Sequence, residues 1–412
     1  MIYEVSINRK NIQATINLPS SKSISNRALI INALSYSPYP LLNLSDSDDT
    51  KVLEAALNSN NNKFDIGHAG TAMRFLTAYL SKIVGEWEIT GSERMQQRPI
   101  AILVDALKSI GAQIEYTKNE GFPPLRILGS HLTGKTIELD GSVSSQYISA
   151  LLLIAPTVEN GLTLKLKGEI TSRSYIDLTL KLMAKFGIQY HWEGNEITVP
   201  EQNYFARDFT VEADWSGASY WYEILSLCDS GKILLKNLHL ESLQGDANIA
   251  DWFTQFGVIS TQKADGVLLI KKENISPEKL VHDFIENPDV AQTMACLCVV
   301  RKIPFHFSGL KTLKIKETDR ISALQNELAK FGAELSEPKE GELAWDGKIN
   351  SEIKSENPLI ETYHDHRMAL AFAPMALAGF PIKINDPMVI TKSYPGFWED
   401  LKTAGFTISE IY

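Results

Sequence analysis

The segment LQNELAKFGAELS, residues 324–336, reads as a one-sided helix that stops at a glycine and turns into a strand. Leu324, Leu328 and Phe331 fall at spacings of four and three, the stripe a helix presents to a core. Gly332 stands where a helix ends in the left-handed conformation that glycine adopts without strain. Ala333 and Leu335 then alternate with polar neighbours, the period of a strand. One such segment would be an ordinary helix stop. The same grammar recurs in ALKSIGAQIEY (106–116), LKLMAKFGIQYHW (180–192), ADWFTQFGVIS (250–260) and DLKTAGFTI (400–408). The glycines Gly111, Gly187, Gly257, Gly332 and Gly405 are separated by 76, 70, 75 and 73 residues. A near-constant period of this size marks an internal structural repeat.

A second kind of helix alternates with the first. It opens on Ser, Thr, Gly, Asp or His and runs on as an Ala/Leu-rich stretch apolar on nearly every side, the pattern of full burial. Its copies begin near Ile24, Thr71, Ser145, Ser216, Asp289 and His366. Six starts against five glycine-ended helices leave one amphipathic partner without its glycine, and residues 50–57 fit that place. The following segment, 58–64, is short and polar, as in a trimmed first unit. Six units, each with a buried helix, an amphipathic helix and several short strands, predict two domains of three. The second should open near Asp214, in EADWSGAS, where the fourth buried helix begins.

Composition sets the outer limits. A chain of 412 residues is too long for one ordinary core. With 44% hydrophobic and 22% charged residues and no low-complexity tract, it is globular. The opening MIYEVSINRK has neither the apolar core of a signal peptide nor the bias of a transit peptide. The most apolar runs, 150–157 and 295–300, fall far short of the roughly 20 residues a membrane span needs. Cys228, Cys296 and Cys298 show no metal-type spacing and sit in apolar helical patterns, so they read as buried thiols of a reducing compartment. A cytoplasmic protein is expected. A net charge of −10 argues against nucleic acid or an anionic membrane as partner. It leaves small anions open, because a local cationic cleft works inside an acidic protein.

Four arginines, Arg27, Arg74, Arg320 and Arg367, are read in first turns of helices, where a cation opposes the helix dipole. Any one of them could be a surface arginine paired locally, for instance Arg320 with Asp319. Together, beside small and hydroxyl residues, they point to bound anions, since free N–H groups, hydroxyls and a guanidinium fork make a phosphate or carboxylate site. Lys22 and Ser23 precede one helix start, and Ser144, Ser145 and Gln146 open another, more hydroxyls than one N-cap uses. Gly70 leaves the backbone open to close approach. Asp289 and Glu317 can serve as proton-transfer groups, while spacing alone favours an N-cap and a first-turn acid, and the residues by themselves leave both open.

The stretches LPSSKSISNRALIINALS, LSDSDDT, GHAGTAMRFL, MQQRPI, DGSVSSQYISALL, SYIDLTL, QGD, NPDVAQT, KIKETDR, TYHDHRMA and TKSYPGFW follow one another from Leu18 to Trp398. In that order they resemble the EPSP synthase (3-phosphoshikimate 1-carboxyvinyltransferase) family over essentially the whole chain. The resemblance implies an inside-out α/β fold of two domains, each of three βαβαββ units with helices inside and sheets outside. The chain crosses twice, so residues 1–20 join 214–412 while 21–213 form the other domain, and the active site lies in the cleft between them.

The resemblance also assigns roles. Shikimate 3-phosphate would meet Lys22, Ser23, Arg27, Ser144, Ser145, Gln146, Ser172, Tyr175, Asp289, Thr312 and Lys316. Phosphoenolpyruvate would meet Lys22, Gly70, Arg98, Gln146, Arg320, Arg367 and Lys392. Lys22, Asp289 and Glu317 would be catalytic, Asp289 taking the proton of the 5-hydroxyl and Glu317 protonating the methylene carbon. His68, Thr71, Arg74 and His366 are further candidates. No metal or organic cofactor is implied, and the partners are the two substrates of a monomeric enzyme. Both substrates carry a carboxylate and a phosphate, and two unit charges ~5 Å apart at an effective dielectric of ~20 repel by ~3 kcal/mol. A pocket that unites them must concentrate Lys and Arg.

Three positions depart from the family pattern: His68 replaces the usual Asn, Phe75 the usual Pro, and Thr312 an Asn at the shikimate moiety. They bear on phosphoenolpyruvate affinity and on sensitivity to glyphosate, which shares that subsite. Two rival readings are the sister UDP-N-acetylglucosamine enolpyruvyl transferase and an inactive paralogue that binds phosphorylated metabolites. The sister enzyme uses a loop cysteine, whereas TGSERMQQRP (90–99) has none and the first cysteine is Cys228. Lys22, Asp289 and Glu317 speak against an inactive paralogue.

Overall fold

The computed structural model describes residues 1–142, 144–352 and 355–411; Val143 (inside DGSVSSQ), Ile353, Lys354 and Tyr412 lie outside the described residues. The chain separates into two compact units, Ser20–Val211 and Met1–Pro19 with Glu212–Tyr412.

In Ser20–Val211 the helices are α1 (Lys22–Leu34), α2 (Asp48–Leu57), α3 (Gly70–Lys82), α4 (Ala101–Ser109), α5 (Ser145–Ile154) and α6 (Arg173–Lys185). The helices read as apolar all round, α1, α3 and α5, pack on one another, and α2, α4 and α6 lie against them. Strands pack against these helices and alternate buried and exposed residues, as in Leu125–Leu128 and Thr136–Asp140. One sheet pairs Lys63–Asp65 parallel with Glu86–Thr90, then adds Leu125–Leu128 and Gln113–Tyr116 antiparallel. The next does the same with Thr136–Asp140, Leu162–Lys167, Glu196–Val199 and His191–Glu193. Taken in chain order, each sheet is laid out 1-2-4-3, with a buried helix as the crossover of its parallel pair. The third sheet is the trimmed one: Leu41–Leu42 beside Phe209–Thr210.

The other unit repeats the plan with α7 (Trp215–Leu227), α8 (Ile249–Trp252), α9 (Ala291–Arg301), α10 (Arg320–Ala329), α11 (His366–Phe372) and α12 (Phe397–Thr403). Asn11–Asn17, Ser230–Lys236, Gly266–Lys271 and Val258–Lys263 form a sheet of the same order. Leu280–Asp283, Phe305–Ser308 and Leu343–Trp345 form a three-stranded one. In the last sheet, Leu359–Ile360 and Ile382–Asn385 are parallel, and the place of a fourth strand is taken by Ile2–Ser6, lying between Ile382–Asn385 and Thr407–Ile411. The six repeats read in the sequence are thus six sheets among the described residues, three to a unit.

The repeat glycines Gly111, Gly187, Gly257, Gly332 and Gly405 all have positive φ, between +75° and +108°. The partner helix of the first repeat ends at Asn58 in a right-handed turn, without a glycine. Two helices are shorter than their patterns suggest. In ADWFTQFG, α8 gives way to a 3₁₀ turn at Phe253–Phe256. After α11 the chain tightens into a 3₁₀ turn, Ala373–Ala378, where Pro374 has no N–H to continue the α ladder. The three cysteines are free and buried, and burial pushes their thiols above the ordinary range. No helix among the described residues is long and apolar enough to cross a membrane.

Candidate active site

On Ser20–Val211, α1 starts at Lys22, capped by the Ser21 hydroxyl, which accepts from Ile24 N at 3.4 Å. The earlier start corrects the reading of two arginines: Arg27 and Arg74 lie in second turns, not first. Each reaches back one turn, Arg27 Nη1 to Ser23 O (2.9 Å) and Arg74 Nη1 to Gly70 O (3.2 Å). Lys22 Nζ lies 3.2 Å from Asp49 Oδ2, a carboxylate of the first turn of α2 that is 6% exposed.

Arg27 is 3% exposed. It donates to Thr179 Oγ1 (2.7 Å) and Ser149 Oγ (3.1 Å), and its guanidinium lies 5.4 Å from the Phe75 ring centre. Among the described residues no carboxylate comes within ion-pair distance. Burial pulls its pKa down to about 10, against the Coulombic pull of Tyr175. A desolvated cation held by neutral acceptors alone is poorly compensated, and an anion beside it would offset that cost.

Gly70 opens α3, and a Cβ there would stand 2.6 Å from Arg98 Nη1. The Arg98 fork therefore lies over the first turn of α3, on a surface only glycine leaves open. The adjoining Pro99 carbonyl is held from two sides, by Arg74 Nη2 (3.1 Å) and by the Tyr147 hydroxyl. Gln146 Nε2 donates to Thr71 Oγ1 (3.2 Å), tying the start of α5 to that of α3. Exposed His68 shares a hydrogen bond with Ser92 Oγ (3.0 Å), in the loop leading to Arg98. Ser144 caps α5 by accepting from Gln146 N, and Ser145 is its first residue. Ser172 precedes α6 at φ +53°, ψ +41°, an unusual conformation for serine. Its C=O accepts from Tyr175 N (3.1 Å), and Thr171 N donates to Gly141 O (3.0 Å) beside the start of α5.

On the other unit Arg320 is a hub, 1% exposed. Nε donates to Asp365 Oδ2 (2.7 Å) and Nη2 to Asp365 Oδ1 (3.2 Å); Nη2 also meets Glu317 Oε2 and Nη1 meets Asp289 Oδ1, both at 2.9 Å. Burial works to lower its pKa, but Asp365, Glu317 and Asp289 outweigh it and hold it above the ordinary value. The remaining oxygens find other cations: Asp289 Oδ2 lies 3.2 Å from Arg367 Nη2, and Glu317 Oε1 2.8 Å from Lys392 Nζ. Each candidate proton-transfer carboxylate thus bridges two cations. Asp319, the expected local partner of Arg320, instead caps α10 by accepting from Ile321 N and Ser322 N. Asp289 is not an N-cap either; Asn287 holds that place before the 3₁₀ turn Pro288–Val290.

Half-buried Lys316 is held below the ordinary ammonium value by desolvation and by Arg320 and Arg367, against Asp289 and Glu317. Arg367 also donates to Tyr220 Oη at 3.3 Å. His366 is buried, with Nδ1 3.6 Å from Asp365 Oδ1. The Thr312 hydroxyl is buried without a hydrogen-bond partner among the described residues. Among the described residues three cations, Arg320, Arg367 and Lys392, therefore meet three carboxylates, Asp289, Glu317 and Asp365, and Lys316 feels the charge of Asp289 and Glu317.

Sequence reasoning passed over Asp365, the carboxylate that anchors Arg320 and also accepts from Arg367 N at 3.0 Å. It also passed over Asp49 and Asp246. The latter accepts from Asn287 Nδ2 (2.9 Å) and Ser216 Oγ (2.5 Å) behind Asp289. Burial raises its pKa, while those two donors lower it and Asp289 raises it further. The signal lay inside the quoted motifs LSDSDDT, QGD and HDHR, as acids beside the residues singled out.

Residues 53–401 match the model of the EPSP synthase (3-phosphoshikimate 1-carboxyvinyltransferase) family. The chain belongs to the EPSP synthase family. A 3-phosphoshikimate 1-carboxyvinyltransferase of Bacteroides fragilis (strain YCH46) is 54% identical over 398 residues, covering 96% of each chain. One of Aliivibrio fischeri (strain ATCC 700601 / ES114) is 36% identical, over 95% of this chain and 96% of its own. In fold, the chain is similar to an EPSP synthase structure from Acinetobacter baumannii, with a TM-score of 0.80 at 20% identity, over 99% of this chain and 100% of that one. Like its relatives in the EPSP synthase family, this chain is a transferase.

Proposed function

We propose that this chain transfers the carboxyvinyl group of phosphoenolpyruvate to the 5-hydroxyl of shikimate 3-phosphate, releasing phosphate. The observation that carries this reading is the placing of Asp289 and Glu317 on separate nitrogens of one buried guanidinium, each bridged to a second cation. That arrangement supplies two fixed carboxylates for proton transfer and a set of cations for a carboxylate and a phosphate.

In this reading Asp289 accepts the proton of the 5-hydroxyl while its oxygen bonds to C2 of phosphoenolpyruvate. Glu317 gives a proton to the methylene carbon, and the product is a tetrahedral ketal phosphate. Return of a methyl proton to the enzyme and breakage of the C2–O bond to phosphate restore the double bond. Arg98, Arg320, Arg367, Lys392 and Lys22, with the Gly70 backbone, take phosphoenolpyruvate. Arg27, Ser23, Ser144, Ser145, Ser172, Tyr175, Thr312 and Lys316 take shikimate 3-phosphate, and Gln146 serves both. The uncompensated charge of Arg27 supports a phosphate or carboxylate there. Thr71, Arg74, His68 and His366 act by positioning: Arg74 through Pro99, His68 through Ser92, Thr71 through Gln146 and His366 beside Asp365. The reading includes no metal or organic cofactor, a monomer and a cytoplasmic setting.

The deciding measurement is phosphate release from phosphoenolpyruvate with shikimate 3-phosphate. Release that depends on both substrates is expected. Release with UDP-N-acetylglucosamine in place of shikimate 3-phosphate, or none with either, would overturn the reading in favour of the sister activity or of a binding protein. Glu317→Gln should retain binding of both substrates and lower turnover by roughly 10²–10⁴-fold, the usual worth of a general acid; parental turnover would remove Glu317 from that role.

A further inference from the structure

Away from these residues, the unit containing α9 holds a cavity of about 1060 Å³ whose wall includes the last turn of α9. α9 carries Asp289 just before its first turn and Arg301 at its end. At 1.5 Å rise per residue the two ends are about 15 Å apart. Phe331, Leu377, Ile349 and Phe380 supply apolar wall, while Lys10, Arg301, Lys302 and Lys348 face a single acid, Asp229.

The charge is poorly compensated. Lys348 pairs with Asp346 at 2.9 Å, but among the described residues Lys10, Arg301 and Lys302 have no carboxylate within ion-pair distance. Cations at helix C-termini often do no more than satisfy carbonyls, and Arg301 does that: its fork donates to Ser226 O (2.9 Å), Asn274 Oδ1 (2.8 Å) and Ile275 O (3.0 Å). Buried Lys271 donates to the same Ser226 carbonyl (3.2 Å), so two cations converge on one oxygen at the end of α7. Asp229 and the dipole ends of α7 and α9, about half a charge each, cannot balance Lys10, Arg301, Lys302 and Lys271. Lys10 and Lys302, both exposed, are left to donate to something else.

We propose that this cavity binds an organic anion with one acidic headgroup and an aromatic-sized apolar body, the headgroup at Lys10 and Lys302 and the body against Phe331 and Phe380. Arg301 and Lys271 contribute charge from behind, their donors already engaged.

The test is a fluorescence titration of the full chain with 8-anilinonaphthalene-1-sulfonate, set against N-phenyl-1-naphthylamine, which keeps the aromatic body and lacks the charge. The sulfonate should bind at one site, at least tenfold more tightly than the neutral amine. The Lys10→Gln/Lys302→Gly double variant should weaken it at least tenfold and leave the amine unchanged. Lys302 has φ +54°, a conformation glycine favours, so the variant removes charge without straining the fold. Its turnover should stay parental, which reports that the fold is intact. Equal binding of the two probes, or sulfonate binding unchanged in the double variant, would overturn the proposal.

Discussion

Glu223, in the middle of α7, is fully buried, and neither carboxyl oxygen has a hydrogen-bond partner among the described residues. Burial pushes its pKa well above the ordinary value, so the folded protein keeps it protonated over a range in which the unfolded chain has released the proton. For an acid raised in this way, stability is full below the unfolded pKa and is lost as pH rises from there towards the folded pKa. Glu223→Met, of similar size and without polar atoms, should stabilise the unit by about 1–3 kcal/mol, the cost of an unsatisfied buried polar group. The gain should grow from pH 5 to pH 8 in urea unfolding; a constant or negative difference would show that a buried partner satisfies the acid. Glu223 was not legible beforehand, because a lone Glu in WYEILSL looks like any polar break in an apolar helix. Arg320 and Asp365 failed to announce each other for a different reason. They are 45 residues apart, and no spacing rule pairs a buried fork with its counter-ion across two repeats. The residues that were legible, Gly70 and Arg98 among them, stand in stretches long enough to be specific.

At the level of helices and strands, the glycine-ended pattern was readable because one local device, a left-handed cap, is used five times at nearly equal spacing. Helix lengths were not. α8 and α11 are cut short by 3₁₀ turns, which a hydrophobic period does not register; in α11 the break falls at Pro374, which has no N–H for the α ladder. The caps also differ in what surrounds them, and that sets what a side chain would cost. Gly379 has φ +100° and open space where a Cβ would be, whereas a Cβ on Gly332 at φ +81° would stand 2.5 Å from the Asn350 carbonyl oxygen. Gly379→Ala should therefore lose only the roughly 1–2 kcal/mol of the left-handed conformation. Gly332→Ala must in addition displace backbone and should lose clearly more. Thermal unfolding of the two variants decides it, and equal losses would mean that the 350 segment moves aside freely.

At the scale of the molecule, every sheet among the described residues is completed within one of the two units, and the two differ in how the chain supplies them. Ser20–Val211 is continuous and owns all its strands. The other unit takes Ile2–Ser6 as an inner strand, paired on one side with Ile382–Asn385 and on the other with Thr407–Ile411, and Asn11–Asn17 as the partner of Ser230–Lys236. Those nineteen residues bury Val5, Ile12, Ile16 and Leu18 in the core. At about 1.5–3 kcal/mol for each buried aliphatic side chain, they bring roughly 6–12 kcal/mol, comparable to the entire stability of an ordinary domain. Without them, Ile382–Asn385 keeps only Leu359–Ile360 and becomes an edge, and Thr407–Ile411 loses its one partner strand among the described residues. A fragment of residues 20–211 should therefore fold alone, with cooperative urea unfolding. A fragment of residues 212–412 should not, until a peptide of residues 1–19 is added, whereupon cooperative unfolding should return and depend on peptide concentration. Cooperative unfolding of 212–412 by itself, or indifference to the peptide, would mean that the N-terminal strands decorate that unit rather than complete it.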